Sequence, residues 1–395
     1  MRILTALIVL IAIAAPLAGA AEKKPVVTVE AIRADLAKIR PRLVEAIGLA
    51  WPEGLEVELV DRAGMRAILL EEFRRDVPIL FPERPERSQR ILAEMYANSL
   101  ARVTRAKYGL ISKKIHVSTG AVDELPKSLD RTRVLTFILA HEAVHAMDDR
   151  AFGLSALLAG APDPEAHRAL NMVIEGRAEH WSAQVAPHLG VPAEVDRTLV
   201  ARRDPAMRRL RDAGRRFVAS IEKRDPDLLG RMLVEPPRTT STVFHPDRYG
   251  RPFDPPDAVA TLVAAKPKGK VEPLSELHLR NRLGERMKDP EIEKMFAGYL
   301  AGAAVVTPRE LRVSLTEHDS AAAAKAFLAG LMAFEGQAAG ESATFATGPL
   351  AHPDGRKFKW WAWLRGPRVI HVVGPADVDV LKELGPTLAP PPREK

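Results

Sequence analysis

The chain has 395 residues, of which 46% are apolar; this suffices for two domains with their own cores and excludes a disordered protein. Its formal net charge of +7 is mild: it suits attraction to an anionic envelope surface, and no zinc-finger, aromatic RNA-platform or helix-turn-helix pattern makes nucleic acid an expected partner. The absence of cysteine excludes disulfides, thiolate metal sites and a lipid-modified cysteine anchor, so any metal must be held by histidine and carboxylate.

Residues 1–20 read as a signal peptide. Arg2 precedes an apolar run from Ile3 to Leu17, and Ala18-Gly19-Ala20 offers a small-residue cleavage site. The run is short for a spanning helix and ends in Pro16 and small residues, so cleavage after Ala20 is expected to leave no stable membrane span. A secreted or periplasmic location follows, with the charge reduced by one arginine to +6. Residues 21–54 read as a tether and a first helix that stops near Pro41. Leu55 to Val60 alternates as a short strand, and Ala63 to Asp76 has helical spacing. Pro78, Pro82 and Pro85 mark a loop, and Gln89 to Ala106 reads as a helix. Lys113 to Ser118 is a strand with lysines at its start, which suits an exposed sheet edge or an edge along which an extended peptide lies.

The chemistry is concentrated in the next element. Thr136 to Met147 contains His141-Glu142-Ala143-Val144-His145, an H-E-x-x-H run within an apolar, helix-patterned segment that Asp130 can cap. Residues four apart share a helix face, so both imidazoles can reach one Zn²⁺, and Glu142 stands beside them as a general base toward water. A helix this apolar is buried, and buried histidine and glutamate need partners.

Asp163-Pro164 starts a second long helix running to about Ala186. It carries Glu175, the best third metal ligand, with Gly176 and Ala178 small enough for close approach to the metal helix. Glu179, one turn on, can accept a hydrogen bond from the free ring nitrogen of a ligand histidine. Asp149 lies about 12 Å along the axis from His141, too far to share the ion, and Asp148 is no better placed; local capping or pairing is expected. Arg202, Arg203, Arg208, Arg209, Arg211, Arg215 and Arg216 interleave with apolar residues as the solvated face of an amphipathic helix. A proline-rich segment (Pro236 to Pro256) and a linker-like Lys266 to Lys270 follow, and Asp289-Pro290 starts a helix through about Val305. The last ninety residues change character. Strand Leu311–Leu315, helix Ser320–Glu335, strands near 358–364 and 369–373 and a short helix before Pro390-Pro391-Pro392 make a small α/β domain. Trp360, Trp361 and Trp363 suit sheet-face packing, and His116, His167 and His188 read as ordinary.

H-E-x-x-H with a glutamate ligand on a second helix, and an acidic residue four later, resembles the gluzincin metallopeptidases, thermolysin among them. The sequence is most similar to small bacterial gluzincin-like domains through Lys114–Ser118, Leu139 to Ala146, Glu175-Gly176-Arg177-Ala178 and a segment from Pro237 to His245-Pro246-Asp247-Arg248-Tyr249. Ser241 departs from that pattern, which carries an acidic residue there. The resemblance spans roughly residues 50–300. It implies a mainly helical zincin-like metallopeptidase domain with a small sheet (55–305); with the small α/β domain (306–386) and Pro-rich tail (387–395) read from the residues themselves, the fold class is α+β.

On this reading His141, His145 and Glu175 bind zinc, Glu142 is the general base, and His245 or Tyr249 supplies the oxyanion donor; His180, five residues after Glu175, is turned away from the ligand face. The substrate would be a peptide or protein. Two alternatives remain open: a non-catalytic envelope scaffold that keeps the zinc fold, and a zinc amide hydrolase acting on cell-wall material. Oligomeric state is not encoded legibly.

Overall fold

The computed structural model describes residues 27–125, 130–201, 204–251, 257–265, 269–336, 344–351 and 356–378, with 380, 384 and 388. The signal segment, the start of the tether, Arg202, Arg203, Pro252, Pro255, Pro256, most of the Lys266–Lys270 linker and the Pro-rich tail beyond Leu388 lie outside the described residues. The architecture is α+β, and the chain divides into two compact units, up to Arg238 and from Thr239 on.

The first unit runs α1 (Val29–Ile47), β1 (Glu56–Val60), α2 (Arg62–Leu80), α3 (Glu86–Leu100), β2 (Ala106–Tyr108), β3 (Lys114–Ser118), α4 (Thr119–Asp123), α5 (Arg131–Phe152), α6 (Leu154–Ala159), α7 (Pro164–Val185), α8 (Ala193–Ala201), α9 (Pro205–Arg224) and α10 (Pro226–Arg231). Its centre is α5, buried from Val134 to Asp149 except for Ile138, which is partly exposed, and packed on α1, α7 and β2. The Asp130 side chain caps α5 by accepting the N–H groups of Thr132 and Arg133, and Gly153 ends it in the left-handed region (φ 69°). Asp163 caps α7 and Asp204 caps α9, each followed by proline at the first helical position.

Several elements depart from the sequence reading. Pro41 does not end α1; the helix continues to Ile47 because Leu43 is fully buried and Val44 and Ile47 pack on the same core, which offsets a proline cost of about 3 kcal/mol. Pro78 likewise sits inside α2. The helix expected to reach Ala106 ends at Leu100, where the Thr104 hydroxyl bonds the Leu100 carbonyl, and Ala106–Tyr108 is a strand. The three-stranded sheet has the order β1-β3-β2, with β3 parallel to β1 and antiparallel to β2. Lys114–Ser118 is therefore the central strand, and β2 is the edge that meets the metal helix. The lysines pair instead of guarding an edge: Lys114 Nζ lies 2.6 Å from Glu56 and Lys113 Nζ 2.6 Å from Asp149.

The second unit comprises α11 (Thr240–Phe244), α12 (Ala258–Ala264), β4 (Val271–Pro273), α13 (Glu276–Leu283), α14 (Asp289–Phe296), β5 (Tyr299–Val306), β6 (Arg312–His318), α15 (Ala321–Phe334), β7 (Phe345–Ala351), β8 (Lys357–Arg365) and β9 (Arg368–Pro375). The strands form one sheet, β4-β5-β6-β9-β8-β7, in which every neighbouring pair is antiparallel. One core, with Phe327, Leu331 and Trp360, lies under α15; another gathers α12, Trp363, Val380, Leu384 and Leu388. The helix expected to run to Val305 stops at Phe296. Tyr299–Val306 is rich in alanine, which suits a helix, but Tyr299, Ala303 and Val305 alternate inward and the segment is hydrogen-bonded between β4 and β6. The sheet thus begins upstream of residue 306. Pro349 fits β7 because that strand is at the sheet edge.

Candidate metal centre

Successive turns of α5 place His141 and His145 one above the other, with their Nε2 atoms 3.1 Å apart and their rings edge to face. Across from them α7 presents Glu175, whose Oε2 is 3.4 Å from His141 Nε2 and whose Oε1 is 3.9 Å from His145 Nε2. Ligands about 2.0–2.1 Å from a tetrahedral zinc stand roughly 3.3 Å apart, so the three donors have the spacing of one tetrahedral face. His141, Glu142 and His145 are 4%, 7% and 8% exposed, and His141, His145 and Glu175 are the cluster fit for a metal among the described residues. Burial, then His141 beside it, pushes the His145 imidazole down to about 3, leaving it neutral as a metal ligand must be. Burial alone would raise Glu175; Arg211, followed by the two histidines, holds it well below the usual carboxylate range. The two imidazoles and an ionised carboxylate, with their ligand atoms within 4.8 Å of one another, form a donor set that fits zinc.

Glu142 reaches the edge strand of the sheet. The backbone N–H of Tyr108 in the edge strand donates to its Oε2 at 2.7 Å. Burial raises the Glu142 carboxyl above its ordinary range, against the pull of His141, Lys107 and the Tyr108 N–H. Lys107 Nζ sits 2.9 Å from Glu72, whose other oxygen accepts the Leu110 N–H, which fixes the turn after β2. Asp149 does not pair locally: it accepts the Tyr108 hydroxyl (2.8 Å) and Lys113, tying the end of the metal helix to the β2–β3 hairpin. Asp148 makes a buried two-point ion pair with Arg177 of α7 (2.8 and 2.7 Å), which locks the helix of the histidines to the helix of Glu175.

Glu179 Oε1 is 3.5 Å from His141 Nδ1, without a hydrogen bond between them. Sequence reasoning missed the group that holds it. Arg211 donates from one nitrogen to Glu179 Oε1 and places another 2.8 Å from Glu175 Oε2. Arg211 thus turns to the carboxylates of α7, whereas Arg216 is exposed, as expected of the basic helix α9. Its Ala213, Gly214, Phe217, Val218 and Ile221 are buried, and Gly214 rests on Gly176 so closely that a Cβ on either would fall into the other helix's backbone. Gly176 thus serves the α7–α9 crossing, not the approach to α5; Ala178 is the small residue in the α5 core. A glycine inside an arginine-rich amphipathic helix was the available signal.

His180 turns away to Glu222 and Gln184. His116 bonds Ser112, His167 lies 3.8 Å from Asp76, and His188 is exposed. His245 and Tyr249 belong to the second unit, where His245 Nε2 is 3.3 Å from the buried Glu276 and Tyr249 is itself buried. Trp360 and Trp363 are fully buried in the two cores of that unit.

No family model matches the chain, and no curated protein matches it. Among solved structures, a protein of Chloroflexus aurantiacus described as a "putative hydrolase with a novel fold" aligns with 16% identity. The alignment covers 55% of this chain and 87% of that one, with a TM-score of 0.42. So distant a likeness adds nothing to the reading of the site, which stands on its own geometry.

Proposed function

We propose that this chain is an exported zinc-dependent metallopeptidase of the gluzincin type, with a zincin-like first unit. One observation carries the reading: His141, His145 and Glu175 converge from two helices at zinc-ligand spacing, and Glu142, between the two histidines in sequence, is electrostatically coupled to His141 and Glu175. A zinc ion held there would polarise a scissile carbonyl and acidify water. Glu142 would be the residue that accepts a proton from water and passes it to the leaving amine, a task suited to a carboxyl that burial raises above its ordinary range. Tyr108 N–H orients the base, and Glu179 with Arg211 orients His141 and Glu175. His245 and Tyr249 stay as proposed oxyanion donors.

The test is Glu142→Gln. It should bind zinc as the parent does and lose about 10²- to 10⁴-fold in peptide hydrolysis. Undiminished hydrolysis removes the mechanism.

A second reading, a non-catalytic zinc scaffold, is favoured by one feature: the outward N–H of edge-strand residue Tyr108, a natural place for an extended peptide, is taken by Glu142. A scaffold has no use for a base with a raised pKa, which favours the peptidase. A parent protein that binds zinc yet cleaves nothing in a broad peptide library would decide for the scaffold.

A further inference from the structure

The alternation of β3 drives one of its polar side chains out of the core. Ile115 and Val117 are fully buried in the core that holds α5, so His116 between them projects from the other face of the sheet. It is only 3% exposed there, and a buried imidazole needs partners. The turn before the strand supplies one: Ser112 Oγ is 2.7 Å from His116 Nε2. The other acceptor for that hydroxyl, the Gly109 carbonyl, stands 3.5 Å away, so the shorter contact to the imidazole receives the proton. Gly109 makes this contact possible, because a Cβ there would strike the Ser112 hydroxyl and crowd His116 Nε2. On the far side of the ring, Nδ1 is buried without a hydrogen bond. It lies 3.4 Å from Oε2 of Glu58, the residue paired with His116 across the parallel β1–β3 ladder.

A hydroxyl, an imidazole and a carboxylate in that order are a nucleophile, its base and the group that steadies the base. Burial lowers the His116 pKa below its ordinary value, against the pull of Glu58, so the ring stands neutral and Nε2 can accept. Ser112 itself is exposed and lines a hollow of about 420 Å³ beside the start of β1 and the last turns of α5, with Pro52, Leu55 and Tyr108 as apolar wall. That is room for a small organic substrate. In the same turn the Leu110 N–H donates to Glu72 and the Lys113 N–H to the Gly109 carbonyl. The N–H groups of Ile111 and Ser112 make no hydrogen bond among the described residues, and they are the donors the turn offers to an oxyanion formed at Ser112.

We propose that Ser112, His116 and Glu58 form a second hydrolytic site, using none of the proposed zinc ligands, that cleaves small carboxylic esters. Ser112 Oγ attacks the ester carbonyl carbon while its proton passes to His116 Nε2. The bond from that carbon to the alcohol oxygen then breaks, and the alcohol leaves with the proton. Water attacks the acyl-serine in turn and gives a proton to His116; the carboxylic acid is released as Ser112 recovers that proton. Glu58 touches no reacting atom. It is a positioning residue that favours the Nδ1–H tautomer of His116 and steadies the imidazolium.

The test is labelling of the full-length protein by a fluorophosphonate, a reagent for activated serines, with the site found by peptide mass mapping; this readout does not depend on the metal centre. The label should fall on Ser112, and p-nitrophenyl acetate should slow it by competing for the same hydroxyl. Ser112→Ala should take up no label there, and His116→Gln should react about 10²-fold more slowly. Glu58→Gln should react roughly tenfold more slowly, with an unchanged melting temperature and shifted His116 ring-nitrogen resonances. Glu58 has a half-exposed side chain, so its variant decides the matter should His116→Gln fail to fold. No label on Ser112 of the folded parent at millimolar reagent, labelling that p-nitrophenyl acetate does not slow, or an undiminished rate in Glu58→Gln or folded His116→Gln overturns the proposal.

Discussion

Glu175 is the residue on which the proposed metal centre turns, because among the described residues it brings a carboxylate from another helix to the Nε2 atoms of both histidines. Its identity was legible in the sequence: an H-E-x-x-H helix needs a third donor, and the next apolar helix carries one glutamate at the right place. Arg211 was not legible. Arginines interleaved with apolar residues produce the same pattern whether they face water or carboxylates, and the choice is made by tertiary packing. Arg211 pairs with both Glu175 and Glu179, and Glu179 stands 3.5 Å from the ring of His141. Removing such a support from a metal ligand costs about 10- to 100-fold in metal affinity. Glu179→Gln is therefore expected to weaken zinc binding by that factor in a competition titration against a chelator. An unchanged affinity would show that the 3.5 Å approach to His141 has no role in holding the metal.

At the scale of elements, three helices converge on the site and are held by two different devices. α5 and α7 are joined by the buried Asp148–Arg177 pair, whose members are both almost fully enclosed. Deleting one partner leaves the other charge stranded, at a cost of about 3–5 kcal/mol. Asp148→Ala should lose that much in denaturant unfolding, and a loss below about 1 kcal/mol would mean that water replaces the carboxylate. α7 and α9 are joined by the Gly176–Gly214 contact, backbone on backbone. Gly176→Ala is expected to destabilise by roughly 1–3 kcal/mol through overpacking, and also to weaken zinc binding because it moves Arg211 away from Glu175. A stable variant with full zinc affinity would contradict the coupling of the crossing to the site. The helices themselves were readable from caps and spacing, as Asp130, Asp163 and Ser320 show. The misread elements share a cause: Pro41, the three-residue strand β2 and the alanine-rich β5 are decided by non-local burial and pairing, which no local propensity records.

For the whole molecule, the division at Arg238 leaves every proposed zinc ligand in the first unit. A fragment of residues 27–238 should therefore bind zinc as the full chain does; a fragment that folds but binds none would show that the second unit completes the centre. The sequence revealed a change of character along the chain at about residue 306, whereas the second sheet already includes β5, whose alanine-rich composition looks helical. Zinc bound to the folded state alone should also stabilise it by about 2.7 kcal/mol at a free concentration of one hundred times Kd. The most direct measurement of the central claim is metal content by mass spectrometry of the folded full-length protein, beside His145→Ala and Glu175→Gln. One zinc per chain in the parent, and a large loss in both folded variants, is the expected result. A folded parent that takes up no zinc when micromolar zinc is supplied, or a Glu175→Gln variant that holds it undiminished, would contradict the account.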